Sequence, residues 1–193
     1  MDGDSGGRQS DAGHGPWDIS EVTGRREDHG LFDLGSLIIR SVPGISVKLH
    51  MKSPGADPYA VELILGDSLM CLQAFTARSR SSKWHGIRAK IIENLREEGR
   101  AADAVHGCLG DEIIAYGSAL EPPSPTTRIV GYDGPGWLLR GLIRGSAALD
   151  QDPADTLESI FGDIVVDPTG ASRADGALLP LRIPNIGPGH PSW

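Results

Sequence analysis

The chain has 193 residues, 39% apolar and only 5% aromatic. That is enough for one domain with an aliphatic core, because a folded part of about 150 residues buries roughly 70% of its unfolded surface. Eighteen basic residues against 26 acidic ones give a net charge of −8, which argues against constitutive binding to nucleic acid or an anionic membrane.

Residues 1–15 are rich in Gly, Asp and Ser, hold little that offsets the entropy of ordering, and read as a disordered arm rather than an export signal. Order is expected from Pro16, Trp17 and Ile19, and residues 16–168 read as a single domain. After the charged stretch Arg25 to His29, Phe32 to Ile39 reads as the first strand. Ile45, Val47, Leu49 and Met51 alternate with Ser46, Lys48, His50 and Lys52, as a strand with one buried face requires. Ser53 to Pro58 is a loop by its turn residues. Tyr59 to Phe75 then reads as a hairpin about Gly66 and Asp67.

From Lys83 the period changes. Trp84, Ile87, Ile91 and Leu95 form one apolar stripe on a helix that Ser81 or Ser82 can cap and Gly99 can end. Ala101 to Gly110 is ambiguous, with a short turn as one reading, Glu112 to Gly117 reads as a strand, and the prolines of Glu121 to Pro125 require an exposed connection. Arg128 to Arg144 repeats the hairpin plan about Gly134, Pro135 and Gly136. A second helix follows, with Asp152 as N-cap, Pro153 first in the helix, and Leu157, Ile160 and Phe161 on its buried side. Ile164 to Val166 is either a last strand or the helix exit. Residues 169–193 form a Gly- and Pro-rich tail, partly docked at 178–184.

Runs of adjacent strands separated by single helices predict an α+β fold: a mainly antiparallel sheet of about six to eight strands, in the order strands, helix, strands, helix, with both helices on one face.

No coherent catalytic set emerges, and neither a cofactor nor a metal is expected. Asp67 and Asp133 sit at hairpin tips, where two nearby carboxylates could bind a metal but where Asp also satisfies turn amides. Cys108 and His106 form a Cys/His neighbourhood, but a nucleophile must touch its base, and a catalytic dyad is not expected of them. Cys71 reads as a core residue. The six histidines lack HxH, HxxxH or HExxH spacing, and no serine lies in a GxSxG elbow. Gly134 to Gly136 is followed by a strand pattern, not the helix that a phosphate loop requires. Arg140 and Arg144 share one strand face and offer an anion or acidic-peptide contact, unless carboxylates pair with them across the ladder. Trp137 and Trp84 could stack on a ligand but fit core packing better.

The binding residues expected are therefore Asp67, Asp133, Trp137, Arg140 and Arg144. Without a CxxC pair the two cysteines are expected to be reduced thiols in the cytoplasm, and no apolar run reaches the roughly 18 residues of a membrane span. The expected function is a non-catalytic protein-interaction module, adaptor-like or chaperone-like, with an unknown protein partner. Pairing of copies through an edge strand at Ile45 to Lys52 is a further option, and neither nucleic acid nor membrane is an expected partner. The alternative is a small-ligand or nucleotide-binding protein or enzyme, with Asp67, Asp133, Arg140 and His106 converging on a pocket.

The ordered series Gly15 to Asp18, Leu65 to Ser68 with Leu72 to Phe75, Trp84 to Ile92, Tyr132 to Gly141 and Phe161 to Val166 resembles an uncharacterised actinobacterial family, domain of unknown function 3710. The resemblance spans Gly15 to Pro184. It implies no activity, cofactor or catalytic residue.

Overall fold

Strict alternation builds the largest element. In the computed structural model, which describes residues 15–22, 30–77, 83–117, 125–172 and 174–184, β4 (Ile45–Met51), β5 (Pro58–Leu65) and β6 (Ser68–Thr76) form an antiparallel meander. Gly66 turns the β5–β6 tip at φ 60°, a left-handed value that favours glycine. β7 (Ala102–Gly107), β8 (Gly110–Ala115), β9 (Thr127–Gly134) and β10 (Trp137–Arg144) form a second meander, and β10 pairs with β6. The result is a seven-stranded antiparallel sheet in the order β4-β5-β6-β10-β9-β8-β7.

Helix α1 (Lys83–Glu97) links the two meanders. It ends where Gly99, at φ 75°, lets its N–H reach Arg96 O and the Arg100 N–H reach Leu95 O, the paired bonds of a Schellman cap. Helix α2 (Gln151–Asp163) follows β10, with Asp150 at the cap position, so it starts two residues before the expected Pro153.

A small second sheet was not legible as such. It comprises β1 (Trp17–Asp18), β2 (Leu31–Asp33), β3 (Leu37–Arg40) and β11 (Val165–Val166), in the order β1-β11-β3-β2. The single strand expected over Phe32 to Ile39 is in fact the β2–β3 hairpin: Gly35 turns at φ 87° while Asp33 Oδ1 accepts its N–H at 2.9 Å. Ala101 to Gly110, ambiguous in sequence, is mostly strand: β7, a two-residue turn at Cys108 and Leu109, and the start of β8.

The helices lie on opposite faces of the large sheet, not on one. Leu157, Ile160 and Phe161 of α2 share a core with Val130, Leu139 and Ile143, whereas Trp84 and Leu95 of α1 pack with Ile129, Leu138 and Ile113. Neighbours on β9 and β10 thus point into different cores, because both faces of these central strands are apolar and each needs cover. The face under α2 and the small sheet is called the inner face below, and the face under α1 the outer face. Between residues 174 and 182 the chain runs beside the end of β6, with Thr76 N donating to Ala177 O and Leu179 N to Ala74 O; Leu179 and Leu181 are buried.

Among the described residues no helix is long and apolar enough to cross a membrane. The expected arm, the charged stretch Arg25 to His29, the caps Ser81 and Ser82 and most of the proline-rich connection lie outside the described residues.

Candidate functional site

Register places a mixed row of side chains along the outer face. On β10, Leu138, Arg140, Leu142 and Arg144 stand opposite Phe75, Gln73, Cys71 and Leu69 of β6. Cys71 and Leu69 in turn face Glu62 and Ile64 of β5, and Glu62 faces Lys48 of β4. Helix α1 rests on β7, β8 and β9. Ile64, Leu69 and Cys71 stay half-buried away from it, and Phe75 and Leu142 are half-buried at the border of its core. Cys71 is therefore not a core residue as its apolar strand suggested.

A groove of about 470 Å³ runs between α1 and this open half. Phe75, Leu138 and Ile87 supply its apolar surface, Lys83, Lys90 and Arg140 its cations, and Asp175 a carboxylate. Its volume falls within the range usual for ligand clefts. Arg140 lies 5.2 Å over the Phe75 ring, and its Nη2 donates to Gln73 Oε1 at 2.5 Å. Its Nε is buried without a partner. Burial holds the Arg140 pKa below the usual arginine value, though a guanidinium stays charged at neutral pH. Lys83 Nζ meets Asp175 Oδ2 at 2.5 Å.

Asp133 stands behind the groove residue Lys83 in a structural role. It accepts from Lys83 N at 3.2 Å and from Trp84 N at 3.1 Å, so a carboxylate on β9 caps the positive end of α1. Trp84 is seated over Gly131, where a Cβ would lie 2.3 Å from the indole, and its Nε1 donates to Asp111 O at 2.5 Å. Arg144 is exposed at the far end of β10, opposite Leu69 and not a carboxylate.

The other expected site residues are held elsewhere. Trp137 points into the inner core with no exposed surface, and its Nε1 donates to Asp18 Oδ2 at 2.7 Å. Asp67 accepts from Ser146 Oγ at 2.6 Å and Ser68 Oγ at 3.2 Å, and these bonds, Ser146's first, hold its carboxyl below the usual range. Asp67 and Asp133 flank opposite ends of β10, a span of roughly 23 Å for seven extended steps, so they share neither a metal nor a proton. His106 Nδ1 lies 3.0 Å from Asp111 Oδ1, while Cys108 turns away to donate to Glu158 Oε2. Of the four residues of the enzyme alternative, Asp133 and Arg140 share the outer face two register positions apart, whereas Asp67 is held at the β5–β6 tip and His106 on the edge strand β7. No group of three or more His, Cys, Asp or Glu among the described residues could hold a metal ion.

One buried cluster escaped sequence reasoning. The Arg128 Nε donates to Glu112 Oε2 at 3.1 Å and its Nη2 to Glu112 Oε2 at 3.0 Å and to Glu158 Oε1 at 2.5 Å, with all three residues less than 10% exposed. It ties β8 and β9 to α2. Burial raises the Glu112 carboxyl despite the Arg128 charge, and burial followed by the Glu158 bond pushes the Cys108 thiol up to about 12. Such a thiol is almost wholly protonated at neutral pH and is a poor nucleophile. The only advance signal was an arginine inside an otherwise apolar strand.

No curated protein and no solved structure matches the chain. A model of the family described as protein of unknown function (DUF3710) matches residues 15–187, which is most of the chain, and the protein belongs to that family.

Proposed function

We propose that this protein is a non-catalytic binding module of the cytoplasm that docks another protein, in the manner of an adaptor or chaperone, on the open half of its outer face. The observation that carries this reading is the unequal cover of one sheet: α1 shields β7 to β9, while Ile64 and Leu69 on β5 and β6, with Phe75 and Leu142 at the border of the α1 core, keep part of their surface open. Partly open apolar side chains interleaved with arginine and lysine have the mixed character of an interaction surface. Further support comes from the polar groups of the alternative reading, since Asp67, Asp133 and His106 are each engaged in holding a turn or a helix end. The edge strand β4 is a poorer docking place. Lys48 stands at its centre and its register shifts between His50 and Met51, two devices that discourage edge-to-edge pairing. Two free cysteines fit a reducing compartment.

The reading is tested by affinity capture from the native lysate with the unaltered chain and with Leu142→Asp, identifying proteins and small molecules by mass spectrometry. A protein recovered by the first and lost by the second supports it. Recovery of a lone chain carrying a metabolite overturns it.

A further inference from the structure

We infer that the occupant of the open outer face is an amphipathic helix with acidic flanks, supplied by a partner chain and lying alongside α1; this rests on the binding-module reading above. Helices packed side by side lie about 8–10 Å apart, which equals about two strand spacings of 4.7–4.9 Å. With α1 over β7 to β9, a neighbouring helix falls over β10 and β6, where Leu142, Phe75 and Leu69 form the floor. It would complete a layer of helices that this chain fills only by half.

The flank of α1 that lines the groove is shaped for such a neighbour. Gly86 lies there in the first turn of the helix, as a residue of low helix propensity. Nothing stands within 4 Å of where its Cβ would be, so the backbone of α1 is open to close approach from the groove side.

Charge selects the occupant's chemistry. The chain carries −8 overall, yet Lys48, Lys83, Lys90, Arg140 and Arg144 stand on or around this face against Glu62, Asp133 and Asp175. All three carboxylates are already engaged: Glu62 lies 3.9 Å from Lys48 and 3.2 Å from His50, Asp133 caps α1, and Asp175 holds Lys83. Among the described residues Lys90, Arg140 and Arg144 have no carboxylate partner, and Arg140 keeps a buried Nε donor unsatisfied. An incoming glutamate or aspartate supplies a partner for the exposed Lys90 and Arg144 charges. A basic or neutral helix would leave these cations desolvated and unpaired.

The test is selection of displayed random peptides of about 16 residues, a helical length of about 24 Å, on the intact chain, with counter-selection on Arg144→Glu and Leu142→Asp. Arg144 is exposed, so its variant should fold even if Leu142→Asp does not. The expected winners are rich in Glu or Asp, place apolar residues at i, i+3, i+4 and i+7, gain helical circular dichroism on binding, and lose about tenfold in affinity on Arg144→Glu. Winners that depend on the face but are basic, or that alternate with a period of two and bind extended, overturn the helix inference while leaving the binding-module reading standing. Absence of any peptide that depends on the face overturns both.

Discussion

Trp137 and Asp18 lie 119 residues apart in sequence and share a buried hydrogen bond, indole Nε1 to carboxylate Oδ2, at 2.7 Å. The bond fastens the start of β10 to the small sheet. The same carboxylate accepts from Ser20 N and Ser20 Oγ, while Glu21 Oε2 accepts from Asp18 N, a capping box on the short 3-10 turn Ile19–Glu21. Burial acts to raise the Asp18 carboxyl, and the bonds from Ser20 and Trp137 together outweigh it, leaving the pKa below its ordinary value. Trp137→Phe should therefore destabilise the fold by about 1–3 kcal/mol, measured by urea denaturation at neutral pH. A carboxyl with a depressed folded pKa adds stability above its unfolded value and loses it as pH falls through the folded one. The variant should accordingly show a smaller loss of stability than the parent below about pH 4.

The Arg128 cluster should respond unequally to removal of its members. Arg128→Ala leaves Glu112 and Glu158 buried without their cation and should cost about 3–5 kcal/mol. Glu112→Gln should cost far less. Because the Glu112 carboxyl titrates above its ordinary 4.5, its contribution to stability falls as pH rises from that value through the raised one. Glu112→Gln should thus flatten the decline in stability on the alkaline side of about pH 4.5, read from denaturant midpoints across pH.

Asp133→Ala should release the amino end of α1, since Lys83 and Trp84 lose the acceptor for their N–H groups. The expected cost is about 1–2 kcal/mol, with faster hydrogen exchange at the first turn of α1 and none at α2. Equal acceleration in both helices would mean that Asp133 acts on the whole fold and not as a cap.

Cys108 is exposed, yet its thiol is held up at about 12. Alkylation of the native protein by iodoacetamide at neutral pH should be roughly a hundredfold slower at Cys108 than at a free cysteine, because the thiolate that reacts is about a thousandfold scarcer and its greater basicity recovers only part of the loss. Glu158→Gln, which removes a negative acceptor, should speed it. Fast labelling of the native chain would contradict the contact with Glu158.

How much of this was legible in the sequence follows from the range of the determining forces. Hairpins with glycine at the tip and strict alternation, such as Pro58–Leu65 with Ser68–Thr76, are local and were read correctly, as was the stripe Trp84, Ile87, Ile91 and Leu95. The strand Ala102–Gly107 was not, because it is an edge with Asp103 and His106 exposed and shows little apolar alternation. Its strand state is imposed by pairing with β8. Two-residue strands such as Val165–Val166 depend wholly on tertiary partners. At the site, the shared face of Arg140 and Arg144 followed from their spacing. The roles of Asp67, Asp133 and Trp137 did not, since each is fixed by a partner between 49 and 119 residues away.

The central claim, that the open half of the outer face holds another protein, is tested most directly by a photo-crosslinking residue placed at Leu142 and, separately, at Leu149. Leu149 is 73% exposed and lies outside the groove. The account predicts that irradiation in the native cell joins the Leu142 chain to a distinct protein, while the Leu149 chain gives no such product. Identical products from both positions, or none from Leu142, would contradict it.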